Sequence, residues 1–96
     1  LINFRIAADL ERGRMDVALA SSTKVYGSES AIEILRKLSE ILGAGGLVRA
    51  GSAAALLLGE LEYELRASVT LTFGGGTNEI QRGLIAQFGL GMPRAM

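Results

Sequence analysis

The chain is 96 residues long, which is enough for one small domain at most. It carries 10 basic and 10 acidic residues, so its net charge is zero and the basic surface that binds nucleic acid is not expected. It contains no Cys and no His, which excludes disulfides, thiolate nucleophiles and imidazole or thiolate metal ligands. We therefore expect no nucleic-acid partner and no metal site, and the absence of Cys fits a reducing compartment such as the cytoplasm.

Apolar residues are abundant for so short a chain. They make up 49% of it and the mean hydropathy is +0.34, so we expect part of the apolar surface to pack against protein outside these residues. Residues 1–8 carry no initiator Met and no signal-peptide pattern, and we expect residues 1–96 to be a single partial domain of a longer chain. The longest apolar run, residues 53–58, is too short to span a membrane.

Helical periodicity begins at the first residue. A first helix is predicted over about residues 1–12 and ends at Gly13. A longer helix follows from about 16 to 42, and Gly27 in its interior indicates a close helix crossing, a bend or simple tolerance. The apolar residues of this second helix recur at three- and four-residue spacings and are Val17, Ala20, Val25, Ala31, Ile34, Leu35, Leu38 and Leu42.

Two more helices are predicted in the second half. The third covers roughly residues 52–71, divides at Gly59 and frays at a β-branched end. The fourth is capped by Thr77 or Asn78 and ends at Gly89. Its predicted buried stripe is Ile80, Leu84, Ile85 and Phe88. Because no segment has the period of a strand, the predicted fold is all-α, an antiparallel helical bundle.

A glycine run and a threonine, residues 74–77, open directly into the fourth helix. Such a junction directs unpaired backbone N–H groups and the positive end of the helix dipole at whatever lies in front of it, so it suits an anion or a polar ligand. Glycines before a helix cap also serve simply to let the chain turn. The residues alone leave both interpretations open.

The exact residue order in this region is more informative about function than its glycine content. Residues 75–82, Gly-Gly-Thr-Asn-Glu-Ile-Gln-Arg, with Leu-Gly-Met-Pro-Arg at 90–94, resemble the C-terminal signature of the acyl-CoA dehydrogenases. Residues 18–24 and 27–29 are similar to a family helix with small residues, a lysine and a serine-glutamate pair. The resemblance implies FAD, an acyl-CoA substrate, an electron-transfer flavoprotein as acceptor, lipid metabolism, and a homo- or hetero-oligomer formed through helical domains.

The resemblance also implies cofactor-binding residues. In the family, the loop that matches Glu40, Gly43 and Ala44 touches the FAD of the neighbouring subunit. Glu40 replaces the usual Gln, so its carboxylate is expected to point away from the pyrophosphate or to meet a hydroxyl. This loop can equally be a plain helix C-cap.

The family positions that match Gly76, Thr77 and Glu79 lie near the flavin nucleotide. Thr77 can also act only as a cap, and Glu79 only as a complement to the helix dipole. Arg66 matches a family arginine, for which a salt-bridge role is favoured over a ligand contact.

The catalytic position departs from the family pattern. Many members place a glutamate immediately before the Gly-Thr pair, where it removes the α-proton of the acyl-CoA, but here that position is Gly75. The resemblance therefore implies a base on an earlier helix or on a partner subunit, and no catalytic residue in these 96 residues. The spacing of Asp9, Glu11 and Asp16 places none of them at a substrate.

We predict the C-terminal part of a bacterial, cytoplasmic flavoprotein that α,β-dehydrogenates acyl-CoA thioesters. The segment would complete the FAD site and the oligomer core, and alone it would be inactive. The alternative is a non-catalytic helical scaffold or interaction subunit that has lost the base.

Overall fold

The computed structural model describes residues 1–94, which form helices and turns without any strand. The α-helices in this part of the chain are α1 (Ile2–Glu11), α2 (Val17–Leu42), α3 (Glu60–Ser68) and α4 (Asn78–Leu84). Turns of 3-10 helix lie at Gly43–Leu47, Leu56–Gly59 and Val69–Thr72, and α4 continues as a π-helical turn at Ile85–Gly89. The predicted all-α fold is confirmed. Across residues 1–94, none of these helices combines the length and apolar character that crossing a membrane requires.

The chain divides into two compact units. The first contains Leu1–Gly27 together with the chain from Gly75 onwards, and the second contains Ser28–Gly74. α2 therefore contributes its first part to one unit and its remainder to the other.

Within the first unit, α2 and the α4 segment run antiparallel. A Cβ placed on Gly89 would stand 3.1 Å from the Cβ of Ala18, near the start of α2. Further along α2, Lys24 reaches Asn78 at the start of α4. The predicted helix end at Gly89 is confirmed, because the π-helical turn ends there and Leu90 is its C-cap. Gly89 is also a small residue in close contact with α2.

Local side-chain contacts define the turn between α1 and α2. The N–H of Arg14 donates to the carbonyl of Asp9 at 2.9 Å, and the Arg14 guanidinium pairs with the Asp9 carboxylate at 2.9 Å. The carboxylate of Asp16 accepts a hydrogen bond from the N–H of Leu19 at 2.9 Å, as an N-cap does. Asp9 and Asp16 therefore have structural roles at helix ends.

The buried residues of α2 are mainly small and polar. They are Ser21, Val25, Ser28 and Ser39. The apolar stripe predicted for this helix is wrong as a buried face, since Ile34 is 58% and Leu38 43% exposed. α2 also runs uninterrupted through Gly27, where a Cβ would meet no atom within 4 Å, so no close crossing within the described residues explains that glycine.

The third helix begins later than predicted. Leu57 and Leu58 adopt left-handed backbone, with φ of 51° and 56°, which interrupts any α-helix through them. The predicted division at Gly59 is confirmed, because a 3-10 turn ends at this residue and α3 begins directly after it. Gly59 is buried, and a Cβ on it would lie 2.8 Å from the Cα of Ala50. The β-branched end after α3 is a 3-10 turn, and fraying of this end stays a prediction.

Few large apolar side chains are covered. Among the described residues, Val25 and Leu61 are the buried ones. Ile80 and Phe88, which the α4 pattern predicts to be buried, are 60% and 58% exposed, so that prediction is wrong within this chain. The physical reason is that no described element lies over this side of α4. Packing of the exposed apolar residues against protein outside the chain stays a prediction.

Candidate functional site

The loop before α4 is exposed and consists of glycine at residues 74–76. Gly75 and Gly76 have φ of 71° and 95°, a region that L side chains rarely adopt. A Cβ placed on Gly75 would meet no atom within 4 Å. The space in front of this part of the loop is open, as far as the described residues extend.

Thr77 is the N-cap of α4. Its Oγ1 accepts a hydrogen bond from the N–H of Ile80 at 3.2 Å, while its carbonyl accepts one from the N–H of Gln81 at 2.9 Å. The structure thus selects Thr77 over Asn78 as the cap. A contact between Thr77 and a ligand stays a prediction.

Gln81 ties α4 back to the glycine loop, a contact that sequence reasoning missed. Its Nε2 donates to the carbonyl of Gly75 at 3.0 Å. A Cβ on Gly76 would stand 2.8 Å from the same Nε2. Glycine at position 76 therefore leaves the room that this side chain occupies.

Asn78 is the buried polar residue of the site, with 4% of its surface exposed. The Nζ of Lys24 donates to its Oδ1 at 2.6 Å. Sequence reasoning noted Lys24 only as part of the family pattern and did not pair it with Asn78. The three- and four-residue spacings of Ser21, Lys24 and Ser28 place Lys24 on the face of α2 that is covered, but they do not identify its partner.

The Glu79 carboxylate is held locally and stays ionised. A hydrogen bond from its own backbone N–H and a second from the Thr77 hydroxyl lower its pKa below the ordinary value of 4.5, and the charges of Arg82 and Lys24 lower it further. The site thus carries a negative charge beside the glycine loop. Such a charge accepts hydrogen bonds from hydroxyls and repels phosphate.

The other predicted cofactor residues, Glu40, Gly43 and Ala44, lie in the second unit, at the end of α2. All three are exposed. Gly43 has a φ of 64° and no atom within 4 Å of a Cβ position, and it ends the helix as predicted. The geometry is that of a helix C-terminus with an accessible backbone, so a cofactor contact here stays a prediction.

The next two glycines of this turn are packed against leucines. A Cβ on Gly45 would lie 2.8 Å from Cδ1 of Leu56, and one on Gly46 would lie 2.7 Å from Cβ of Leu42. Gly46 is buried. These two glycines therefore satisfy packing inside the second unit.

Arg66 has the salt-bridge role that the sequence favours. Its Nε donates to Oε1 of Glu62 at 2.9 Å, and its guanidinium lies 5.6 Å from the centre of the Tyr63 ring. This hydrogen bond lowers the pKa of Glu62. Within residues 1–94, no three acidic side chains come together in a way that would hold a metal ion.

Residues 1–90 match the family model described as the acyl-CoA dehydrogenase C-terminal domain. The chain therefore belongs to the acyl-CoA dehydrogenase family, and its all-α fold is that of the family's C-terminal domain.

Two curated relatives are acyl-CoA dehydrogenases FadE26 and FadE29 of Mycobacterium tuberculosis, which are 46% and 36% identical to the chain over 99% and 98% of its length. A solved structure, the Tcur3481-Tcur3483 steroid ACAD, is 41% identical and has a TM-score of 0.89. The ChsE4-ChsE5 complex of M. tuberculosis is 47% identical and has a TM-score of 0.86. Both structural matches cover 98% of the chain, which spans 24% of each of these four proteins.

Proposed function

We propose that this chain is the C-terminal part of a flavoprotein that α,β-dehydrogenates acyl-CoA thioesters, and that it completes an FAD site and part of an oligomer core. The observation that carries the proposal is the glycine loop and the start of α4: the loop is exposed and open in front of Gly75, Gln81 bonds to the loop, and Lys24 bonds to Asn78, the first residue of α4. Membership in the acyl-CoA dehydrogenase family supports FAD as the ligand.

The residues of this loop fit a flavin nucleotide. Backbone N–H groups next to glycine can approach a ligand closely because no side chain intervenes. We assign Gly76 and Thr77 to such contacts, and the ionised Glu79 carboxylate to a ribityl or ribose hydroxyl, because a carboxylate repels the pyrophosphate. Bound FAD would supply the acceptor for the hydride that leaves the substrate β-carbon.

We assign Glu40, Gly43 and Ala44 to the FAD of a neighbouring subunit. Their exposure and the open space at Gly43 support this role. The Glu40 carboxylate, like that of Glu79, suits a hydroxyl and not a phosphate.

The catalytic base is proposed to lie outside these residues, on an earlier helix of the longer chain or on a partner subunit. Gly75 has no side chain that accepts a proton, and Asp9 and Asp16 are engaged at helix ends. One similar structure is a complex of two components, ChsE4 and ChsE5, and this supports a hetero-oligomer.

A CoA thioester with a steroid-derived acyl chain is the first substrate to test, because one similar structure is named a steroid ACAD. The proposed electron acceptor is an electron-transfer flavoprotein, and the proposed setting is cytoplasmic lipid metabolism. The second candidate function is a non-catalytic scaffold that binds FAD. The glycine at position 75 favours it, because the glutamate that serves as base in many family members is replaced there.

The test uses the full-length protein, alone and co-expressed with a second dehydrogenase subunit, under anaerobic conditions. Bleaching of the visible flavin absorbance on adding a steroid acyl-CoA supports the enzyme. Bound FAD that bleaches in neither preparation supports the scaffold. In an active preparation, amide variants of the upstream and partner carboxylates should identify the base, and activity that survives every such variant contradicts this assignment.

The segment of residues 1–96 should be inactive alone and bind FAD weakly at best. Acyl-CoA-dependent reduction of an artificial acceptor by the purified segment would contradict this expectation.

A further inference from the structure

One hydrogen bond links two helices at the candidate site. The ammonium of Lys24 on α2 donates to Oδ1 of Asn78 at 2.6 Å, across 54 positions of sequence. Asn78 is 4% exposed, and Lys24 is itself half-buried. A hydrogen bond with one charged partner in a site screened from water is stronger than the same contact at the surface.

The position of Asn78 in the chain gives this contact a wider consequence. Asn78 is the first residue of α4, between the cap Thr77 and the carboxylate of Glu79. Holding its side chain therefore restrains the backbone on both sides, which is the cap and glycine loop before it and the first turn of α4 after it. The Lys24 charge is also among the causes that lower the pKa of Glu79.

We propose that Lys24 is a positioning residue for the flavin site: through buried Asn78 it holds the start of α4 and the adjoining glycine loop in the conformation that receives the nucleotide. This inference rests on the proposed function. Gln81 restrains the loop from within α4, through the carbonyl of Gly75, whereas Lys24 is a restraint from another helix.

A matched control lies on the same helix. Lys37 is another α2 lysine, but its side chain is 67% exposed and it pairs with Glu33 at 3.5 Å, one turn away. Such surface pairs contribute little. Lys37→Met removes the same charge and leaves the contact between α2 and Asn78 untouched.

The test compares Lys24→Met, Lys24→Arg and Lys37→Met in the full-length protein with its partner subunit. The FAD dissociation constant is measured on deflavinated protein by the change in flavin fluorescence. Lys24→Met should weaken FAD binding roughly tenfold, as expected when a buried acceptor loses a charged donor. Lys24→Arg should recover part of the loss, and Lys37→Met should match the wild type.

Amide hydrogen exchange of the FAD-free assembly supplies an independent measurement. A peptide containing residues 75–80 should exchange faster in Lys24→Met than in wild type and Lys37→Met. A lower melting temperature with unchanged FAD affinity and unchanged exchange in this peptide would show a purely structural lysine and overturn the proposal. A wild-type assembly that binds no FAD would instead refute the proposed function itself.

Asn78→Ser, alone and combined with Lys24→Met, keeps the proposal testable should Lys24→Met fold poorly. Asn78→Ser shortens the acceptor out of reach of Lys24 and should weaken FAD binding by a similar factor. Because both changes break the same contact, the double variant should bind FAD about as weakly as the worse single one. Losses that multiply, or an unchanged affinity in Asn78→Ser, would overturn the proposal.

Discussion

The two glycine-rich turns of this chain, Gly43–Leu47 and residues 74–77, are held by different means. In the first, Gly45 and Gly46 lie against leucine side chains, so carbon atoms fill the space where a Cβ would stand. In the second, Gln81 donates a hydrogen bond to the carbonyl of Gly75, and Lys24 donates one to Asn78, the first residue of α4. Substitution of a glycine should therefore lower mainly the free energy of unfolding in the first turn and mainly the FAD affinity in the second. Three glycine substitutions test this difference, and a fourth prediction compares a carboxylate beside the second turn with one in α3, all in the full-length protein.

Gly46→Ala should produce the largest effect. The new Cβ would overlap Cβ of Leu42 at 2.7 Å in a buried position, and overpacking of this kind costs about 1–3 kcal/mol of unfolding free energy. Chemical denaturation measures the loss. Gly27→Ala is the control, because its site is helical and open, and it should leave stability equal or up to about 1 kcal/mol higher. Equal losses at both sites would contradict the packing role of Gly46.

Gly76→Val should chiefly weaken FAD binding. A side chain there would displace the Gln81 amide from the Gly75 carbonyl and strain a backbone with φ of 95°. We expect FAD affinity to fall roughly tenfold, the equivalent of about 1.4 kcal/mol. Leu90→Ala, beyond the π-helical turn, should retain FAD better. Equal FAD content in the two purified variants would favour a loop that serves only as a turn.

Gly75→Ala separates backbone strain from crowding within one loop. The position is open, so only its φ of 71° opposes a side chain, and the expected loss of stability is about 1 kcal/mol. FAD content should stay closer to wild type than in Gly76→Val. An FAD loss in Gly75→Ala as large as in Gly76→Val would show that the Gln81 contact is not what distinguishes the two glycines.

The smallest expected effect is a dependence on acidic pH. The pKa values of Glu79 and Glu62 are lowered in the folded state from 4.5, so each ionised carboxylate stabilises the fold above that value and loses its effect as pH falls through the lowered pKa. Glu79→Gln and Glu62→Gln should each lower the melting temperature near neutral pH, by an amount that shrinks below pH 4.5.

Measuring FAD affinity separates the roles of the two carboxylates, because only Glu79→Gln should change the affinity. A melting-temperature difference that stays constant through the acid range would contradict the pKa assignment. An FAD affinity lowered by Glu62→Gln and not by Glu79→Gln would reverse the assigned roles.

Sequence patterns predicted the helices well and their surroundings poorly. The Thr77 cap, the break at Gly43 and the division at Gly59 follow from the chemistry of single residues and their neighbours. The start of α3 was missed because Leu57 and Leu58 take left-handed backbone, which no local propensity of leucine favours. The apolar stripe of α2 was misjudged because its covered face consists mainly of serines.

The candidate site also has features that the sequence predicted and one that it did not. The family signature located the glycine loop and the cap, but the pairing of Lys24 with Asn78 was not predicted. Nothing in either residue's local pattern names a partner 54 positions away.

The sequence by itself determined the all-α class, most of the helix ends and the place of the glycine loop and cap at residues 74–77, because hydrogen bonds within a helix and its caps involve residues a few positions apart. Only the tertiary structure decided that Asn78 is buried, that Gly89 lies against Ala18, and that Ile80 stays exposed. Burial and side-chain partners depend on which helices approach each other in space, and that approach is set by contacts distant in sequence.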